Sequence, residues 1–166
     1  MLFNDLSAEE IASVEETGVL QKFEEGAVII QEGQAGSSFF LIATGHVEVR
    51  KNVGEGRYKK IIELGPGDVF GEIGFLGVGC RSASVVAVGD CEALEFRRAD
   101  FERLIEAQPA IGVKSYRGLA RELARRLAQS DDDLKGTIVW ALGLMQKLPE
   151  TEVDLTSRPK LRLRMP

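Results

Sequence analysis

Phe70-Gly71-Glu72-Ile73-Gly74-Phe75-Leu76, followed closely by Cys80-Arg81-Ser82-Ala83-Ser84-Val85, puts a carboxylate and a guanidinium within one glycine-rich turn. Residue types in that order describe a ligand site better than a packing unit. An ionised Glu only accepts hydrogen bonds and suits a ribose hydroxyl; a forked Arg suits a phosphate; glycine lets backbone N–H groups come close to an anion. Gly71 through Leu76 are expected to form one short helical turn whose unpaired N–H groups face the anion. A lone Glu and Arg on a glycine-rich loop would read as a surface ion pair. The ordered run of Phe, Gly, Glu, two apolar positions, Arg, two small residues and Val carries more information than that.

Continued back through Leu64-Gly65-Pro66-Gly67-Asp68, the segment closely resembles the phosphate-binding cassette of the cyclic nucleotide-binding domain family. The resemblance covers roughly residues 20–130, including Glu32-Gly33, Phe39-Phe40-Leu41-Ile42 and Gly45-His46-Val47-Glu48-Val49 as first strands of a β-roll. It implies binding of cAMP or cGMP, with Gly71, Glu72, Ile73, Gly74, Arg81, Ser82 and Ala83 as binding residues. Arg81 would meet two phosphate oxygens in a charge-assisted bidentate contact, and its removal is expected to leave the ligand-free fold little changed. Glu72 would accept from the 2'-hydroxyl, which rejects deoxynucleotides. A hydroxyl at Ser82 serves cGMP selection in some members and phosphate contact in bacterial cAMP receptors, so cAMP is favoured over cGMP only modestly. The other reading is a vestigial cassette that keeps the fold without the ligand.

The chain has 166 residues, 44% of them hydrophobic, which suits one packed domain plus an appended helical segment. A net charge of -5 argues against a generic nucleic-acid binder. Cys80 and Cys91 are too few for a disulfide framework and lack metal spacing, and His46 is the sole histidine. No cofactor, no metal and no catalysis are therefore expected. The longest apolar stretch, Ile138 to Met145, falls short of the ~20 residues of a membrane span, and the protein is expected to be cytoplasmic.

The expected fold is mainly β with flanking helices (α+β): an antiparallel β-roll or jelly-roll with an N-terminal helix, the short cassette helix and a long C-terminal helix. Ser7-Ala8-Glu9-Glu10 is a capping-box start. Strands are expected at 27–31, 38–43, 47–51, 58–64, 83–88 and 92–97, broken by glycines. Gly33, Gly45, Gly54, Gly56 and Gly65 fall where turns call for positive φ. Cys80, where eukaryotic members of the family have proline, is expected to be inert packing. Residues 98–105 read as a short amphipathic helix stopped near Gln108-Pro109.

Beyond it, apolar or small residues recur at Leu123, Leu127, Ser130, Leu134, Thr137, Ala141, Leu144 and Leu148 in steps of four and three. That seam fits either a helix lying on the roll or a parallel homodimer. The segment 119–130 resembles the dimer helix of catabolite activator protein-type regulators, with Ser130 as the implied base contact and Asp131 where a serine usually lies. The domain reading is 1–130 for the roll with its N-terminal helix, 110–148 for the long helix as lid or dimer seam, and 149–166 for a flexible basic tail. Glu150 to Pro166 is too short for a helix-turn-helix, so no DNA-binding module is expected. The function implied is a stand-alone regulatory sensor that passes ligand occupancy through its C-terminal helix, with an unidentified protein partner possible; the alternative is a non-binding structural or interaction domain.

Overall fold

The computed structural model describes residues 3–77 and 80–145. Ten elements follow one another: α1 (Ala8–Glu15), β1 (Val19–Phe23), β2 (Val28–Ile30), β3 (Ser38–Asn52), β4 (Tyr58–Leu64), β5 (Val69–Phe70), α2 (Glu72–Phe75), β6 (Ser84–Arg97), α3 (Arg98–Ala107) and α4 (Pro109–Met145). All strand pairs are antiparallel, in the order β1-β6-β3-β4, with β2 on β6 and β5 on β3. The chain divides into two compact units, the first ending at Ala124 and the second beginning at Arg125.

The α1 start is a reciprocal capping box. Glu10 N–H donates to Ser7 Oγ at 3.3 Å, and Ser7 N–H donates to Glu10 Oε2 at 2.7 Å. The same Glu10 carboxylate receives Lys114 Nζ at 2.7 Å, which ties α1 to the first turns of α4, while Arg121 reaches Asp5 at 2.7 Å. Pro109 opens α4 at the one helical position where a missing N–H costs nothing.

Strand alternation on β3 divides the core in two. Phe39 joins Leu6, Val14, Phe75, Phe96, Phe101, Leu104, Ile111 and Leu119 in the layer between sheet and helices. Its neighbour Phe40 points the other way, into the roll interior with Ile30, Ile42, Val47, Leu64, Phe70 and Val85. Each fully buried phenylalanine contributes about 1.5–3 kcal/mol of hydrophobic stabilisation.

The strand boundaries differ from those expected. Segments 38–43 and 47–51 are one strand, β3, whose register shifts between Ile42 and His46, and segments 83–88 and 92–97 are one strand, β6. Gly45 (φ 78°) and Gly89 (φ 72°) therefore act inside continuous strands instead of ending them. A Cβ on Gly45 would lie 2.3 Å from the Asp90 carbonyl oxygen, so the two strands approach too closely there for any other residue. Strands β1 and β5 carried no alternating signal and exist through pairing with β6 and β3.

Gly65 is not left-handed, contrary to expectation. In Gly65-Pro66-Gly67-Asp68, Asp68 N–H donates to Gly65 O at 3.0 Å, and the positive φ falls on Gly67 (85°). Proline at the second position of a type II turn sends that requirement to the third. Residues 149–166 and Leu148 lie outside the described residues, as do the side chains of Thr137, Ala141 and Leu144.

Candidate functional site

Two short segments build the site. Gly71, left-handed at φ 79°, turns the chain from β5 into the four-residue α2. A Cβ there would meet Arg81 Nη1 at 2.8 Å and Ile30 at 2.9 Å, so only glycine has both the backbone freedom and the space. Phe75 N–H closes on Gly71 O at 3.2 Å and Leu76 N–H on Glu72 O at 2.8 Å. The amides of residues 72–74 thus precede the first intrahelical bond. Phe75 pins the turn from beneath, its ring edge-on to Phe39 at 4.8 Å and to Phe101 at 5.6 Å.

Arg81 is held at its backbone by the segment between β2 and β3. Its N–H donates to Gln34 O at 2.8 Å, and its carbonyl accepts from Gly33 N–H at 2.9 Å. The side chain is 9% exposed and folds inward, where Nη1 donates to Ser38 O at 2.6 Å and to Gly71 O at 2.9 Å, and Nη2 to Ser38 Oγ at 3.0 Å. Three of the five guanidinium N–H bonds are used this way, and the Nε and second Nη2 N–H bonds lie outside this set. Burial pushes the guanidinium below its ordinary value, while the charges of Glu95 and Glu72 pull it back up. It remains a cation, held by two carbonyls and a hydroxyl.

Of the residues expected from sequence, Gly71, Glu72, Gly74 and Arg81 come together. Glu72 is 4% exposed and Gly74 is buried, and a Cβ on Gly74 would lie 3.2 Å from Arg81 Nη1. Ile73 and Ala83 are half-buried, and Ser82 is exposed. Ser130 lies exposed on α4 in the second unit. Cys80 is exposed and bridges to Ala35, so it is not packing as expected: the chain enters the arginine segment along the surface. Cys91 is the packed thiol, its pKa raised by burial and then by the Glu92 charge.

Ser38, Gly36 and Glu95 escaped the sequence reading. A Cβ on Gly36 would lie 1.9 Å from Arg81 Nε, so this glycine makes room for the arginine. None of the three is near Arg81 in sequence; β3 and β6 bring Ser38 and Glu95 to it. Among the described residues no group of three His, Cys, Asp or Glu side chains could hold a metal ion, and no helix is long and apolar enough to cross a membrane.

Residues 20–108 match the family model of the cyclic nucleotide-binding domain. The chain belongs to the cyclic nucleotide-binding domain family. It is 35% identical over 133 residues to the cyclic AMP receptor protein of Thermus thermophilus, covering 80% of this chain and 60% of that protein. It is 36% identical over 96 residues to the cAMP-dependent protein kinase regulatory subunit of Mycosarcoma maydis, covering 58% of this chain and 18% of that protein. The crystal structure of Thermus thermophilus catabolite activator protein superposes with a TM-score of 0.71 at 35% identity, over 81% of this chain and 61% of that one. The chain thus spans less than two thirds of the length of these relatives. The expected antiparallel fold with flanking helices and a long C-terminal helix is the one observed.

Proposed function

We propose that this domain binds a cyclic mononucleotide, cAMP in preference to cGMP, at the cassette formed by α2 and Arg81, and acts as a regulatory sensor. The observation that carries the reading is the burial of Glu72 and Arg81 against one glycine turn, with the early amides of α2 beside them. A singly charged cyclic phosphate would take those amides and the two remaining Arg81 N–H bonds, with Ser82 adding a hydroxyl. Glu72, acceptor only, would take the ribose 2'-hydroxyl. Relatives named for cyclic AMP and for cyclic GMP both support a cyclic mononucleotide as the ligand class, and the preference for cAMP rests on the resemblance to bacterial cAMP receptors at Ser82. Occupancy would pass through α4, with Ser130 contacting the base and Leu127 and Leu134 pairing two copies of the chain; their side chains are 65% and 59% exposed, which suits an apolar seam awaiting a partner.

One observation favours a second reading, a scaffold with a vestigial cassette: Arg81 already spends both Nη1 bonds on Ser38 and Gly71. Equilibrium titration of the wild-type chain and Glu72→Ala with cAMP and 2'-deoxy-cAMP separates the two. The sensor reading expects the wild type to prefer cAMP, and Glu72→Ala to bind more weakly with that preference gone. No binding of either nucleotide by the wild type leaves the scaffold reading.

A further inference from the structure

Arg98 is the first residue of α3, yet its side chain works on α2. Its Nη2 donates to Gly74 O at 3.1 Å and to Phe75 O, and its guanidinium lies 5.7 Å from the centre of the Phe75 ring. Its own backbone N–H donates to Ser37 O at 3.0 Å, one residue before the Ser38 that receives Arg81. The last carbonyls of a helix have no intrahelical donors, so a cation from another helix satisfies them and complements the negative end of the turn.

Two further features mark this contact as more than a surface cap. Arg98 Nε is buried without a hydrogen-bond partner, so the cost of withdrawing the guanidinium from water is offset mainly at Nη2. The side chain stays there because the α2 carbonyls are there. It also borders an open cavity of about 410 Å³ lined by Ala35, Gly36, Ser37, Gly74 and Gly77. Among the described residues that line this space only Arg98 belongs to α3, and its hydrogen bonds to Gly74 and Phe75 give the link between turn and helix a direction.

Phe75 also touches Phe101 on α3, but apolar contacts allow rings to slide, whereas hydrogen bonds fix register. From α3 the position passes to the start of α4, where a Cβ on Gly112 would come within 2.5 Å of Ile105. We propose that Arg98 is a positioning residue that clasps the cassette turn to α3, so that ligand occupancy of the turn is read at α3. The clasp is a property of the ligand-free protein; its role in reading occupancy rests on the function proposed above.

Hydrogen–deuterium exchange on wild type, Arg98→Met and Arg98→Lys, each without ligand and with saturating cAMP, tests it. Without ligand, Arg98→Met should speed exchange at the α2 end and the first turn of α3 by roughly tenfold, the loss of one charged hydrogen-bonded link. With cAMP, wild type should slow in both α2 and α3, while Arg98→Met should slow in α2 alone. Lys, which can still donate to the two carbonyls, should restore part of the α3 response at a thermal midpoint measured alongside. Wild-type exchange rates at both sites in ligand-free Arg98→Met would overturn the clasp. An α3 response to cAMP in Arg98→Met equal to wild type would overturn the coupling, and so would an Arg98→Lys variant no better than Met. Should the wild type itself bind no cAMP, the proposed function and the coupling fall together, and the ligand-free comparison still decides the clasp.

Discussion

Arg81 Nη1 lies 2.6 Å from the carbonyl oxygen of Ser38, so the arginine proposed to bind the phosphate is also a bolt between the cassette and β3. Sequence alone suggested that removing Arg81 would leave the ligand-free fold little changed; the buried bonds argue otherwise. Arg81→Ala should lower ligand-free stability by about 1–3 kcal/mol, because the Ser38 and Gly71 carbonyls lose their donor, and should weaken cAMP binding by about 2–5 kcal/mol. Ser38→Ala keeps the carbonyl and removes only the Oγ acceptor, so both losses should fall to about 1 kcal/mol. Denaturant melts paired with titration calorimetry check all four values.

Gly36→Ala tests the space around the arginine. The new Cβ would overlap Arg81 Nε, and the flexible guanidinium would yield before the backbone does. The fold should persist while cAMP affinity drops by about 2 kcal/mol, the scale of charged hydrogen bonds lost when Nη1 and Nη2 leave Ser38. Unchanged affinity in a folded variant would mean that Arg81 need not sit where it does.

The α1–α4 tie predicts a pH dependence. The Lys114 hydrogen bond, with the Ser7 amide adding to it, holds the Glu10 carboxyl below its usual 4.5. A depressed folded value means that the contribution is fully present above pH 4.5 and is lost as pH falls through the folded value. The thermal midpoint of wild type minus that of Glu10→Gln should stay constant from neutral pH down to about 5 and shrink below 4.5. A difference that grows on acidification would reverse the assignment.

Much of this was legible because local chemistry sufficed. Ser7 and Glu10 cap α1 through neighbours three residues apart, and Gly71, Glu72 and Arg81, close in sequence, are also close in the fold. What stayed hidden depends on pairing between distant strands. Ser38 and Glu95 reach Arg81 only once β3 and β6 align Phe40 with Glu95, and nothing near either residue marks it. The strand breaks at Gly45 and Gly89 were misplaced for the same reason: whether a left-handed glycine ends a strand or bulges within it is decided by its partner strand.

The exposed apolar positions of α4 make a prediction about assembly. If Leu127 and Leu134 pair two copies of the chain, Leu127→Asp or Leu134→Asp should shift sedimentation from dimer to monomer, since the seam would bury unpaired charge. Wild type that sediments as a monomer at tens of micromolar, roughly the range of weak interfaces, with and without cAMP, would end the paired-helix account.

Isothermal titration of the wild-type chain with cAMP, run beside Arg81→Ala, addresses the central claim most directly. The account predicts saturable binding with one nucleotide per chain, weakened about 30-fold or more in the variant by the loss of at least 2 kcal/mol of charged contact. Absence of heat and of competition by cAMP or cGMP in the folded wild type, or equal affinity in the two proteins, would contradict it.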